Sequence, residues 1–123
     1  MKNNREHEFK KRLYKLVLRI IKFVENCKKT QTTRIIGDQL IRSGTSILGN
    51  YIEGQSASSK KDYTNYFNHS LKSTNESKVW VSILRDTENG DSQEANFILA
   101  ELEEISKIFG SSVLTLKGKK KNI

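Results

Sequence analysis

A row of basic residues near the start of the chain has the charge and spacing to bind phosphate groups. The row comprises Lys11, Arg12, Lys15, Arg19 and Lys22. On a helix these residues would share one side, and the part from Arg12 to Lys22 would extend about 15 Å. Such a row can bind several phosphates of a nucleic acid with strong salt dependence and little sequence specificity. The alternative is a solvated charged face, which is common on surface helices.

The net charge of +8 is concentrated at the two ends of the chain. Residues 1–34 carry an excess of Lys and Arg equal to the whole net charge, whereas Asp86–Glu104 contains acids but neither Lys nor Arg. The C-terminal basic tail, residues 117–123, includes Lys119, Lys120 and Lys121. Basic ends favour an anionic partner such as RNA or DNA, and we predict that these three lysines add non-specific attraction.

Residue patterns for catalysis, cofactors or metals are missing from the sequence. His7 and His69 are far apart, and neither has a second potential ligand at helical spacing. The single cysteine, Cys27, excludes an internal disulfide and a cysteine-based zinc site. The sequence contains neither the P-loop motif G-x-x-x-x-G-K-[ST] nor the dinucleotide-binding motif G-x-G-x-x-G. We therefore predict a protein that is not an enzyme and has no cofactor or metal.

The pattern of apolar residues predicts an all-α protein. Proline is absent, and periodicity of 3.6 residues predicts four helices. Their approximate limits are Glu6–Cys27, Thr33–Glu53, residues 59–89 and a last helix that begins at Asp91. Gly54 and Asn89–Gly90 are expected to end the second and third helices. The length and short connections predict an antiparallel up-down-up-down four-helix bundle, one domain over residues 1–123 that includes the short basic tail.

Three large apolar residues lie outside the predicted core stripes and are candidates for an interface. They are Trp80 in the third helix and Phe97 and Ile108 in the fourth. Exposed aromatic residues are common in interfaces, although the flank of a wide core stripe would explain the same positions. The acids of the fourth helix are candidates to face the basic first helix of a neighbouring subunit.

The second helix carries an uncharged polar stripe where a surface helix usually carries Lys and Glu. Gln39, Ser43, Ser46 and Asn50 form this stripe, and Glu53 continues it. Small residues let helices approach closely, so tight packing within the bundle is one explanation. A second packing face for another subunit is the other. We expect that the stripe packs, which accounts for its small and uncharged residues.

The same stretch, "QLIRSGTSILGNYIEG", resembles the signature of the four-helix-bundle proteins encoded in intervening sequences of bacterial 23S ribosomal RNA genes. The matching positions are Gln39, Leu40, Arg42, Ser43, Ser46, Ile47, Asn50, Glu53 and Gly54. A following block also resembles the family, through Lys61, Tyr63, Tyr66, Ser73 and Glu76. The chain departs from the signature at Leu48, Tyr51 and Ile52, so packing around Tyr51 is expected to differ.

The resemblance implies a homo-oligomer, because members look like four-helix bundles assembled as ring-shaped pentamers. A related branch, the accessory variability determinant of diversity-generating retroelements, binds a reverse transcriptase and nucleic acid. A protein-interaction adaptor is therefore the alternative to a nucleic-acid-binding protein. For Arg42, Asn50 and Glu53 we prefer a polar network that holds the second helix to its neighbours over a ligand site.

The sequence also indicates where the protein resides. No run of about 18 apolar residues is present, so no membrane span is predicted. The first residues lack the uninterrupted apolar run and small-residue cleavage site of a signal peptide. We expect a cytoplasmic protein.

Overall fold

The computed structural model describes residues 4–118 and is an antiparallel up-down-up-down bundle of four α-helices. The helices are α1 (Asn4–Glu25), α2 (Gln31–Gln55), α3 (Lys60–Asp86) and α4 (Ser92–Leu116). All regular structure among the described residues is helical. The predicted all-α fold is confirmed, and each predicted helix is present with limits that differ by a few residues.

The apolar stripes of the four helices meet in one core. The apolar stripe of α4 is buried throughout, from Ala95 to Val113. On α1, Leu13, Ile20 and Phe23 are buried. Cys27 is also buried, as expected for a small apolar side chain. Burial of these faces provides most of the stability of the helices, because helical stability in proteins comes mainly from packing of an amphipathic face.

Side-chain caps fix where three of the helices begin. Ser59 accepts a hydrogen bond from the backbone N–H of Asp62, and Asp91 accepts one from Glu94 at 2.8 Å. In both cases an acidic residue stands three positions after the cap, which is close to the spacing of a capping box. Thr30 caps α2 by accepting from the backbone N–H of Thr33. Each cap satisfies a backbone donor that the helix itself leaves unpaired.

Small residues bring α2 and α3 close together. The hydroxyls of Ser43 and Ser77 are 2.7 Å apart, and both side chains are buried. Ser70 of α3 donates a hydrogen bond of 3.0 Å to the backbone carbonyl of Ile47 in α2. A side-chain hydroxyl can reach a neighbouring backbone in this way only where two helices approach closely. The buried hydroxyls of α3 therefore serve helix packing.

Gly54 lies inside α2 and does not end it, which corrects the expected helix stop. The helix continues to Gln55, and a Cβ atom on Gly54 would lie 3.2 Å from Cβ of Tyr66 in α3. The absence of a side chain at this position lets α3 come close to α2. The glycine thus matches the family signature because of packing and not because of a turn.

The connections α1–α2 and α3–α4 are joined at one end of the bundle. The backbone N–H of Lys28 donates to the carbonyl of Asn89 at 2.8 Å, and the Thr30 hydroxyl donates to the side-chain oxygen of Asn89. The turn predicted at Asn89–Gly90 is present, but its left-handed residue is Glu88, with φ of 60°. Gly90 is needed for close approach, because a Cβ there would lie 2.5 Å from the ring of Phe23.

Candidate nucleic-acid interface

Three lysines form the outward face of α1. Lys11, Lys15 and Lys22 are exposed, while Leu13, Leu16 and Ile20 on the opposite side fill the core. Within residues 4–118, none of these lysines takes part in an ion pair. From Lys11 to Lys22 the row extends about 16 Å at the rise of an α-helix. We call Lys11, Lys15 and Lys22 the lysine row.

The two arginines predicted to join this row have carboxylate partners in their own chain. Arg12 donates two hydrogen bonds to Glu101, at 2.7 and 2.9 Å, and Arg19 donates two to Glu94. The Arg19 guanidinium also lies 3.6 Å from the centre of the Phe97 ring. Both arginines lie on the flank of α1 next to α4, so the predicted basic row divides into two paired arginines and the three lysines.

The same pairs give two acids of α4 a partner within the chain. Glu94 and Glu101, which were candidates to face the α1 of a neighbouring subunit, face the α1 of their own chain. The hydrogen bonds from Arg12 hold the pKa of Glu101 below its ordinary value. Ionised groups in bidentate pairs of this kind orient each other closely. The pairs thus hold α1 against α4, and they neutralise two positive charges of α1.

A wide cleft remains between α1 and α4 where the helices reach the joined end. Its volume is about 560 Å³, and its walls include Leu18, Lys22, Asp91 and Glu94. Carboxylates lie in this wall beside the cations, so the cleft is poorly suited to an anionic ligand. It is therefore a weaker candidate than the outward face of α1.

A second groove, between α1 and α2, is lined by apolar residues that were not among the sequence-based candidates. Tyr14 of α1 lies there with Leu48 and Ile52 of α2, and its side chain is 55% exposed. Tyr14 follows Lys11 by three residues on the non-core side of α1, and this spacing was the available signal. Because Tyr14 lies outside the core stripe and beside the lysine row, the groove forms a mixed apolar and basic surface.

The residues of the α2 signature divide between the core and the surface. Ser43 and Gly54 are buried against α3, as described above. Leu40 and Ile47 are buried in the core. The remaining residues are half-buried or exposed, namely Gln39, Arg42, Ser46, Asn50 and Glu53. Asn50 donates to the backbone carbonyl of Ser46 in its own helix, at 2.9 Å. The cross-helix network expected for Arg42, Asn50 and Glu53 does not form within residues 4–118.

The three interface candidates differ in exposure. Phe97 is 51% exposed and Ile108 is 38% exposed, both on the flank of α4 next to α1. Trp80 is half-buried against the core, and its indole N–H donates to Glu76 at 3.0 Å. Trp80 therefore lies at the flank of the core stripe, which was the alternative explanation, while Phe97 and Ile108 remain open to solvent.

Three further predictions concern the C-terminal tail, a membrane span and a metal site. The tail residues Lys119, Lys120 and Lys121 lie outside the described residues. None of the four described helices combines the length and apolar character needed to cross a bilayer. Residues 4–118 also hold no group of three or more side chains arranged to bind a metal ion.

Comparisons with known proteins agree with the signature of α2. The family model described as 23S rRNA-intervening sequence protein matches residues 5–111. The chain is also similar to a protein of unknown function from the S23 ribosomal protein family of Bacteroides thetaiotaomicron VPI-5482. The crystal structure of that protein has a TM-score of 0.80 and 29% sequence identity, with coverage of 88% of this chain and 96% of that chain. No curated protein matches. The family resemblance seen in the sequence is confirmed.

Proposed function

The chain belongs to the 23S rRNA-intervening sequence protein family, and from that premise we propose that it is a non-enzymatic, oligomeric protein that binds nucleic acid. The observation that carries the proposal is the lysine row, which is exposed and has no ion pair among the described residues. The family names of the matched proteins refer to ribosomal RNA and ribosomal proteins, so RNA is the first probe to use. We expect the protein to act in the cytoplasm.

The lysine row supports phosphate binding because its charges are not already used. Arg12 and Arg19 are held by α4, so we assign the phosphate contacts to Lys11, Lys15 and Lys22. An ammonium group acts as a compact point charge that can meet a phosphate from many directions. Binding by such contacts depends on charge and not on base sequence. Lys119, Lys120 and Lys121 are proposed to add attraction without defining the site.

Assembly of several subunits would raise the affinity of the lysine row for a nucleic acid. We propose a homo-oligomer, and the resemblance to pentameric rings suggests five subunits. Exposed Phe97 and Ile108 are the proposed apolar contacts of a subunit interface. The outward residues of the signature, Arg42 and Glu53 among them, are proposed to pack against another subunit. A ring repeats the lysine row, so a polyanion held by several rows binds with a higher overall affinity.

The test is fluorescence anisotropy with a labelled single-stranded RNA of about 16 nucleotides at increasing salt. Three phosphate contacts per chain predict that affinity falls roughly 20-fold between about 50 and 200 mM salt. Replacing Lys11, Lys15 and Lys22 by Gln should remove most binding and flatten the salt dependence. The matched control replaces the exposed Lys60, Lys61 and Lys72 of α3 by Gln, with the same loss of charge.

Equal affinity losses in the two triple variants would mean that net charge, and not the lysine row, controls binding. Light scattering after size-exclusion chromatography supplies the oligomeric state of each variant. A monomeric wild-type protein would contradict the proposed assembly.

The second candidate is a protein-interaction adaptor, in which a ring presents a surface to a polypeptide such as a reverse transcriptase. The open Phe97 and Ile108 side chains favour it, because large apolar residues at the surface commonly mark protein contacts. A stable partner complex that resists nuclease, together with RNA binding that the lysine substitutions do not change, would favour the adaptor over the first proposal.

A further inference from the structure

We infer that the groove between α1 and α2 receives the bases of a single-stranded nucleic acid, with Tyr14 as the surface on which a base stacks. The inference rests on the proposed function, because the lysine row beside the groove must hold the phosphates. The inference adds that the ligand is a single strand in preference to a duplex. It also adds Tyr14 as a binding residue, which phosphate contacts alone would not require.

The groove contains an apolar cleft with cations at its edge. The cleft has a volume of about 370 Å³ and is lined by His7, Lys10, Lys11, Tyr14, Leu48 and Ile52. No carboxylate is among these residues, in contrast to the cleft between α1 and α4. An anionic ligand with an apolar, planar portion is therefore compatible with both the walls and the edge of this cleft.

The register of α1 places the aromatic ring directly beside the lysine row. Tyr14 follows Lys11 by three residues, so the two side chains adjoin on the helix surface. Both line the cleft together with Leu48 and Ile52, so the ring lies on the side of the row that faces α2. A strand with its phosphates on the lysine row can thus turn its bases toward α2.

Tyr14 has no competing role within the described residues. Its side chain is 55% exposed and takes part in no ring contact or hydrogen bond inside residues 4–118. The aromatic rings that pack with one another lie in or against the core, namely Phe9, Tyr51, Tyr63, Phe67 and Phe109. The ring of Tyr14 is thus open to a ligand.

The combination of a lysine row and an open aromatic ring distinguishes single strands from duplexes. In a duplex the faces of the bases are stacked inside the helix, so only phosphates would meet α1 and the apolar groove would stay in water. In a single strand the base faces are free to stack on an aromatic side chain, whatever the base. The groove therefore favours a single strand.

The experiment compares Tyr14→Leu, which keeps an apolar side chain, with Tyr14→Phe, which keeps a ring. Anisotropy is measured with the same RNA as a single strand and as a duplex. We expect Tyr14→Leu to weaken single-strand binding roughly 5- to 150-fold, the range for loss of one stacked base. Duplex binding and the salt dependence should not change, and Tyr14→Phe should retain nearly full affinity.

A direct readout is photo-crosslinking with RNA that carries 5-iodouracil, which reacts with an aromatic ring stacked on it. The expected crosslink maps to Tyr14. Crosslinks confined to other residues, or tighter binding of the duplex than of the single strand, would overturn the inference.

The variants separate failure of this inference from failure of the proposed function. If Tyr14→Leu binds the single strand normally while the Gln variants of the lysine row do not, the row binds phosphate and the stacking inference is wrong. If the lysine variants also bind normally, the proposed function is wrong as well. A groove that binds an acidic amphipathic peptide, with loss in Tyr14→Leu and unchanged RNA binding, would likewise overturn the inference.

Discussion

The contact between α2 and α3 and the contact between α1 and α4 are built from opposite kinds of side chain. Between α2 and α3, buried serines lie 2.7 Å apart, and Ser70 reaches the backbone of the opposite helix. Between α1 and α4, the long side chains of Arg12 and Glu101 span the space, and a cleft of about 560 Å³ stays open near Asp91. One contact is closely packed, and the other leaves an open cleft.

The two contacts therefore have different roles: the α2–α3 contact contributes most to folding stability, and the α1–α4 contact carries the charged side chains. Close packing of buried residues is sensitive to single atoms, so the α2–α3 contact should respond strongly to a change in volume. Ion pairs with exposed side chains contribute little, because solvent screens them. The arginine pairs of α1 thus orient the helix at small energetic gain, and they leave its outward lysines free for a partner.

The largest expected effect comes from adding volume to the α2–α3 contact. Ser77→Leu places a bulky side chain where the Ser77 side chain is fully buried and its hydroxyl touches that of Ser43. Overpacking together with loss of the hydrogen bond should lower the free energy of unfolding by roughly 3 kcal/mol. Urea denaturation followed by far-UV circular dichroism measures the change.

Asn75→Leu is the matched control, because Asn75 is an exposed residue of the same helix. It should change the free energy of unfolding by less than about 0.5 kcal/mol. Similar losses in both variants would show that the α2–α3 contact is not closely packed.

A smaller effect is expected from removing one hydroxyl of the same contact. In Ser43→Ala the hydroxyl of Ser77 keeps its hydrogen bond to the Ser73 carbonyl, so no buried donor is left unpaired. The free energy of unfolding should fall by about 1 kcal/mol. Thr45→Ala is the control, since the Thr45 hydroxyl is exposed and bonds only its own helix. Equal losses in the two variants would contradict a special role for the buried hydroxyls.

The smallest effect is expected at the α1–α4 contact and depends on pH. Hydrogen bonds from Arg12 lower the pKa of Glu101 from its ordinary value of 4.5. The stabilising effect is therefore complete above that ordinary value and is lost as the pH falls through the lowered pKa. Glu101→Gln should cost about 0.5 kcal/mol at neutral pH, after allowance for solvent screening. Below the lowered pKa, wild type and variant should converge.

Calorimetric melting temperatures measured from neutral to acidic pH test this prediction. Glu8→Gln is the control, because Glu8 is exposed on α1 and has no ion pair within residues 4–118. A difference between wild type and Glu101→Gln that grows toward acidic pH would have the wrong sign.

Much of the fold could be predicted because local rules determine it. The apolar period defined the core stripe of α4, and the spacing of Ser59 and Asp91 from their acidic partners located two helix starts. Positions on the edge of a stripe were less certain. Phe23 and Ser43 are buried because of the angle at which neighbouring helices pack, which the periodicity of a single helix does not contain.

The site was harder to predict because it depends on contacts between distant parts of the chain. Arg12 and Lys15 look equivalent in the sequence, yet only Arg12 lies on the flank where it reaches Glu101. The acidic run of α4 gave no indication that its partners were in the same chain. Gly54 was expected to end α2 and Gly90 to form a turn. The turn at Gly90 is present, but the sequence did not show that both glycines allow close approach to an aromatic residue.

The joined end of the bundle gives the protein a built-in chemical reporter. Cys27, the only cysteine of the chain, is buried there beside Phe23, and burial raises the pKa of its thiol. The thiolate is the form that reacts with thiol reagents. The joined end therefore protects Cys27 in two ways, because it excludes the reagent and keeps the thiol protonated. The rate at which a thiol reagent labels Cys27 therefore measures how often the Asn89 connection opens, without any engineered probe.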